Sequence, residues 1–135
     1  MSLNWDNNLA TGINSIDNQH KELFDRINLL LVAMKNGKGK NAVIKTLNFL
    51  EEYVIKHFDE EEEIQKKNNY PKYNIQHKQH EEFKTELKEL RKVFEVTGIS
   101  AIFVINVQQK MSNWWRGHIK DLDKDLGKFL IENHK

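Results

Sequence analysis

Apolar residues recur every three or four positions along most of the chain, which is the spacing of one buried face on an α-helix. The pattern continues through four long stretches, and a fifth, shorter amphipathic stretch follows. The predicted helices, with boundaries uncertain by a few residues, are Ile16 to Lys35, Asn41 to Lys67, Tyr73 to Val96, Ser100 to Ile119 and Asp121 to Glu132.

The breaks between these stretches are short. Gly37-Lys38-Gly39, Asn68 to Pro71 and Thr97-Gly98 contain residues that end helices or form turns. Long helices joined by short loops predict an all-α, antiparallel up-and-down four-helix bundle. We expect an irregular N-terminal arm to about Asn14, a short C-terminal helix, and a single domain over residues 1–135.

Composition excludes several classes of function. The chain has 21 basic and 20 acidic residues, so it lacks the basic field that nucleic acid would require. No run of about 18 apolar residues is present, so no membrane span is expected. The opening MSLNWDNNLATG lacks the apolar centre of a signal peptide, so the expected compartment is the cytoplasm.

The chain has no cysteine and six histidines. Disulfides, zinc–thiolate sites and thiol nucleophiles are therefore excluded, and any metal site must use His, Asp and Glu. We expect His134, next to the C-terminal residue, to be exposed. The other five histidines lie in predicted helices: His20, His57, His77, His80 and His118.

Spacing adds carboxylates to this set. His57 and Glu61 are four residues apart and share one helix face. Asp123 follows His118 by five residues, which places it about 140° around an ideal helix. A local widening or the end of the helix would have to turn Asp123 inward.

A histidine on an apolar helix face is usually a hydrogen-bonded core residue. Here four helices each direct histidines toward the same small core, and burying so many imidazoles and two carboxylates without a partner would be costly. A bound metal removes that cost. We expect most of the acidic run from Asp59 to Glu63 to be a solvated face, with only Glu61 directed inward.

Imidazole and carboxylate without thiolate favour iron or manganese, although zinc and copper also bind imidazole. Oxygen-activating di-iron bundles use two Glu-x-x-His motifs, and this sequence contains none. A site rich in histidine and poor in carboxylate stabilises high-valent iron less well. We therefore expect reversible oxygen binding rather than oxygen cleavage.

At this point the sequence resembles the hemerythrin family, specifically its single-domain bacterial members. The resemblance covers nearly the whole chain. It is carried by Trp5, Gly12 to His20, Leu23-Phe24, His57-Phe58 with Glu61-Glu62, Tyr70-Pro71, His80 to Phe83, Trp114, and His118-Ile119 with Asp123.

The resemblance implies a non-haem di-iron centre with an oxo or hydroxo bridge and dioxygen as its ligand. Glu61 and Asp123 would bridge the two irons. His20 and His57 would bind one iron and leave a position open for oxygen. The second iron would be saturated by three imidazoles, those of His77, His80 and His118.

One departure concerns the third helix, where the family usually has two histidines four residues apart. Four residues before His80 stands Gln76, about 40° to one side on an ideal helix, and His77 lies about 60° to the other. We favour His77, because imidazole binds iron better than a carboxamide does. This choice requires a shifted helix start or a local distortion. Otherwise Gln76 is a weak ligand, or that iron has a free position.

A second departure is Trp115, where the family often has a smaller apolar residue. It either narrows the oxygen pocket or is a tryptophan of the bundle core or rim.

The leading hypothesis is an oxygen-binding protein for storage, delivery or sensing, monomeric and without enzymatic activity, with a separate protein partner if it is a sensor. The alternatives are an oxidase, a reductase for peroxide or nitric oxide, an iron-buffering protein, and a metal-free helical interaction module.

Overall fold

The computed structural model describes residues 3–37 and 39–133, so His134 lies outside the described residues. The described residues form helices and no strand. The five α-helices are α1 (Asn14–Lys35), α2 (Lys40–Lys67), α3 (Tyr73–Thr97), α4 (Ala101–His118) and α5 (Lys124–Asn133). These bounds lie close to the predicted ones, including the short C-terminal helix. No described helix is long and apolar enough to span a membrane.

The four long helices form an antiparallel bundle in which each helix contacts the next and α4 returns to α1. Contacts between α1 and α2 run in opposite directions along the two helices. Gln19 bonds to Glu60, while Arg26, further along α1, bonds to the carbonyl of Phe49, earlier in α2. The predicted up-and-down arrangement is confirmed.

Specific residues set the helix ends. Ser100 caps α4, since its hydroxyl accepts a hydrogen bond from the backbone N–H of Phe103 at 3.1 Å. Gly98 follows α3 with a φ of 76°, a left-handed conformation that favours glycine at a helix C-terminus. Residues 98–100 therefore form a tight connection between α3 and α4.

The N-terminal arm is anchored on the bundle. Leu3 and Leu9 are buried, and the Asn28 side chain exchanges two hydrogen bonds with the backbone of Leu3. Further along, the backbone N–H and hydroxyl of Thr11 both donate to the buried Asp17 carboxylate at 2.8 Å. Gly127 lets α5 approach this arm, because a Cβ there would lie 2.1 Å from the carbonyl oxygen of Thr11.

The apolar core is divided into two clusters. The larger fills most of the bundle and includes Leu30, Leu50 and Leu87. The smaller joins Ile16 and Tyr70 to leucines of α5. His20 is buried on α1 between Ile16 of the smaller cluster and Phe24 of the larger one.

Candidate metal centre

Six of the seven predicted ligands meet inside the bundle. His20 comes from α1, His57 and Glu61 from α2, and His80 from α3. His118 is the last residue of α4, and Asp123 is the last residue of the segment Ile119–Asp123 that follows it. All six side chains are buried, the most exposed being His118 at 3%.

Asp123 reaches this site through a π-helical turn, Ile119–Asp123, that joins α4 to α5. A π-helix bonds residue i to residue i+5, so two residues five apart share a face. The Asp123 Oδ1 atom consequently lies 3.3 Å from His118 Nε2. The sequence analysis required a local widening at this point, and the structure contains one.

The first half of the site is formed by His20 and His57. His20 Nε2 lies 3.0 Å from Asp123 Oδ2, and His57 Nε2 lies 3.4 Å from Glu61 Oε2. One ligand atom from each of these four residues lies within 4.8 Å of the others.

The second half is formed by His80 and His118, whose Nε2 atoms are 3.2 Å apart. His80 Nε2 lies 3.2 Å from Glu61 Oε1, the carboxylate oxygen that does not face His57. Glu61 and Asp123 each present one oxygen to each half of the site. Both carboxylates are therefore placed between the two halves.

Hydrogen bonds on the outer side fix three of the four imidazoles. His57 Nδ1–H donates to Gln19 at 2.6 Å, His80 Nδ1–H donates to Glu62 at 2.8 Å, and His118 Nδ1–H donates to Gln79 at 2.8 Å. A proton on Nδ1 leaves the lone pair of a neutral imidazole on Nε2. These three lone pairs point into the site, as metal-ligating histidines require.

Several inward-facing atoms of the described residues have no assigned hydrogen-bond partner. Within the described chain, both Glu61 oxygens, Asp123 Oδ2 and the Nε2 atoms of His20 and His57 are buried without a hydrogen-bond partner. A cation bound among these atoms would satisfy them. Two ligands about 2.1 Å from one metal and at right angles to each other lie roughly 3 Å apart, and the observed separations of 3.0 to 3.4 Å agree. The residues fit two metal ions.

Burial also sets the protonation of the site. Burial, reinforced by His20, lowers the pKa of His57 well below its usual value, and burial lowers that of His80. Both rings are therefore neutral near pH 7 and free to bind a cation.

The two carboxylates oppose one another. Burial and then Asp123 raise the pKa of Glu61 well above its usual value. Burial also opposes ionisation of Asp123, yet His118 and His20 overcome it and hold its pKa well below the usual range. A cation between the carboxylates relieves this conflict, because it allows both to be ionised.

Aromatic rings surround the imidazoles. Phe58 stacks on His80 with ring centroids 3.9 Å apart, and Trp114 stacks on His118 at 4.5 Å. Trp115 is fully buried in the core, not at its rim, with its ring 6.2 Å from that of His20 and 6.1 Å from that of His57. Its ring also lies 6.2 Å from that of His118, so it borders both halves of the site.

The structure does not bring His77 to this site. Its side chain is 48% exposed, and its Nδ1 lies 2.7 Å from Glu62 Oε1. Gln76 is fully buried instead and donates from Nε2 to Asp123 Oδ1 at 3.0 Å. The distortion that His77 needed is absent, since α3 begins with a regular bond from the Gln76 N–H to the Lys72 carbonyl. The structure thus places Gln76 beside the other predicted ligands and leaves the favoured His77 outside.

Sequence reasoning also missed Glu62 and the outer glutamines. Glu62 was assigned to a solvated face, but it is 8% exposed and contacts both His77 and His80. Its pKa is lowered, because hydrogen bonds from these two histidines outweigh the opposing effect of burial. The helical phase of α2 alone gives no signal for this role, which depends on how closely α3 packs beside it.

Comparisons with known proteins agree with this geometry. Residues 11–130 match the family described as "Hemerythrin HHE cation binding domain". The bacteriohemerythrin of Pseudomonas paraeruginosa is 32% identical over 119 residues, which cover 88% of this chain and 75% of that protein. The bacteriohemerythrin of Methylococcus capsulatus is 29% identical over 126 residues, covering 90% of each chain.

The fold agrees with a solved structure as well. A crystal structure of wild-type hemerythrin superposes with a TM-score of 0.83 at 26% identity, covering 94% of this chain and 96% of the other. The bundle, the paired histidine and carboxylate site, and the matched segment of 120 residues lead to one conclusion: the chain belongs to the hemerythrin family.

Proposed function

We propose that this protein binds dioxygen reversibly at a pair of iron ions held by His20, His57, Glu61, His80, His118 and Asp123. The observation that carries the proposal is the convergence of four imidazole Nε2 atoms and two carboxylates in a fully buried layer. Iron bound there would supply the electrons for oxygen binding.

The ratio of imidazole to carboxylate ligands favours binding of dioxygen over cleavage of its O–O bond. The six proposed ligands include four neutral donors and only two carboxylates, so little negative charge is available to stabilise high-valent iron. Oxygen-activating bundles have the opposite balance. This ratio supports a carrier, store or sensor of oxygen.

The residues around the ligands contribute by excluding water. Phe58, Trp114 and Trp115 pack directly against the imidazoles. A dry pocket limits the proton supply that would release bound oxygen in reduced form. Trp115 lies beside His20, His57 and His118, and we propose that it narrows the oxygen pocket next to His20 and His57.

The outer hydrogen bonds contribute by orientation. Gln19 holds His57, while its amide N–H donates to Glu60 at 2.9 Å. Such relays keep the Nε2 lone pair directed inward when a ligand arrives or leaves.

A cycle of anaerobic reduction and exposure to air tests the proposal. Protein reconstituted with ferrous iron should develop a visible charge-transfer band in air and lose it when oxygen is removed, over repeated cycles. His118→Ala should lower the iron content and abolish the band, because it removes one imidazole of the second half. His77→Ala is the matched control and should retain both, since His77 lies outside the site.

The alternative is an enzyme that reduces oxygen, peroxide or nitric oxide. Gln76 is the observation in its favour, because an amide in place of a third imidazole leaves one iron less fully ligated. Rapid loss of the band with release of peroxide after a single cycle would contradict the carrier and support the enzyme.

A further inference from the structure

We propose that Gln76 is a weak, displaceable ligand, so the His80 and His118 half of the centre also accepts a small external anion. This inference deepens the proposed function and rests on it. It concerns a residue of this chain that lies where sequence reasoning expected either an imidazole or a vacant position.

The side chain of Gln76 is buried beside the proposed metal ligands. It has no exposed surface, although a glutamine near a helix start would ordinarily face water. Its Nε2 donates to Asp123 Oδ1, and that oxygen lies 3.3 Å from His118 Nε2. The amide is therefore in direct contact with a proposed ligand of the second half.

The oxygen of the Gln76 amide differs from its nitrogen in having no partner in the described part of the chain. Gln76 Oε1 is buried and has no hydrogen-bond partner among the residues that the structure describes. A buried amide oxygen without a partner carries a free-energy cost. Beside the ionised Asp123 the amide presents its N–H, while beside a bound cation its oxygen becomes the favourable end. A half-turn of the amide exchanges the two atoms.

Apart from Gln76, the two halves of the site have matching sets of proposed ligands. The first half has two imidazoles, and with His77 turned away the second half also has two. Glu61 and Asp123 offer one oxygen to each half. Two histidines with carboxylate oxygen form the kind of set that leaves positions open for exogenous ligands.

Glu62 explains why His77 does not fill the gap. Its carboxylate accepts from His80 through one oxygen and contacts His77 through the other. The ring of His77 is also stacked on Tyr73, with centroids 5.8 Å apart. These contacts hold His77 on the outer side of Glu62, so Gln76 alone of this pair faces the centre.

Metal retention against a competing chelator gives the first test, with Gln76→His as the variant. The wild-type protein should hold two metal ions, and competition with the chelator measures the affinity of each. Gln76→His should retain the ion held by His80 and His118 roughly tenfold or more better, because imidazole replaces an amide. His77→Gln makes the reverse exchange one residue away and should leave both affinities unchanged. Helical circular dichroism confirms that each variant is folded.

Azide titration of the ferric protein gives the second test. We expect two azide ions per centre in the wild type and one in Gln76→His, where the added imidazole closes the second half. One azide in both proteins, or an unchanged metal affinity at the His80 and His118 half in Gln76→His, overturns the role of Gln76.

The two proposals fail in different ways. A wild-type protein that retains fewer than two metal ions overturns the proposed function and this inference together. Retention of two ions, with Gln76→His indistinguishable from wild type, overturns the inference about Gln76 alone.

Discussion

The large apolar cluster and the layer of proposed metal ligands are equally buried. They differ in whether their buried atoms have suitable partners. Leu50, in the large apolar cluster, and His20, in the metal layer, both have no exposed surface. The leucine gains free energy from burial, whereas the histidine has two ring nitrogens without a hydrogen-bond partner among the described residues. The apolar cluster thus supplies stability, and the metal layer consumes part of it until a cation binds.

Removal of a shared carboxylate should have the largest effect. Glu61→Ala takes away one oxygen from each half of the site, so we expect loss of both metal ions and of the oxygen-dependent band. Elemental analysis of the purified variant measures this. Glu63→Ala, two residues away on the exposed side of α2, is the control. Wild-type iron content in Glu61→Ala would show that the iron binds elsewhere in the protein.

A cavity in the apolar cluster should affect stability without changing the ligands. Leu50→Ala should lower the free energy of unfolding by about 2–5 kcal/mol, measured by chemical denaturation of the metal-free protein. The folded variant should still bind the wild-type number of metal ions. A lower metal stoichiometry in the folded variant would show that the two parts are not separable.

Metal binding should raise stability by mass action. At a free metal concentration 100 times the dissociation constant, we expect a gain of about 2.7 kcal/mol per site, seen as a higher midpoint of thermal unfolding. His118→Ala should show a smaller gain. An equal increase in both proteins would indicate that the ion stabilises some other part of the chain.

Loss of an outer hydrogen bond should have a graded effect. Glu62→Gln weakens the acceptor for His80 Nδ1–H, and we expect metal affinity to fall by about 10–100-fold. Chelator competition measures the change. Glu60→Gln is a matched substitution on the same helix, and since its partner Gln19 is one step further from the metal, it should have a smaller effect. The reverse order would contradict the assigned relays.

The smallest effect is expected at His77. His77→Ala removes an exposed contact with Glu62, so metal content should stay at the wild-type level and affinity should change only slightly. A loss of metal comparable to that in His118→Ala would show that His77 is a metal ligand, as the sequence favoured. It would contradict the role given to Gln76.

Periodicity predicted the bundle because amphipathic helices with short loops have few ways to pack. It also placed His20, His57 and Glu61 inward, since each lies on the apolar stripe of its helix. Asp123 was predicted only conditionally, because the π-helical turn that directs it inward has no clear signature in Ile119–Asp123.

The third helix is where the placement in the structure differs from the one that the sequence favoured. Ligand chemistry favoured imidazole over amide, but the regular start of α3 and the position of Glu62 decide which side chain faces inward. These are properties of packing between α2 and α3. Such packing cannot be deduced from the chemical preferences of single residues.

The central claim is a pair of metal ions shared by two carboxylates, and anaerobic titration with ferrous iron tests it most directly. After removal of unbound iron, elemental analysis should show two iron ions per wild-type chain. One iron ion or none, in a protein with an intact helical fold, would contradict the account.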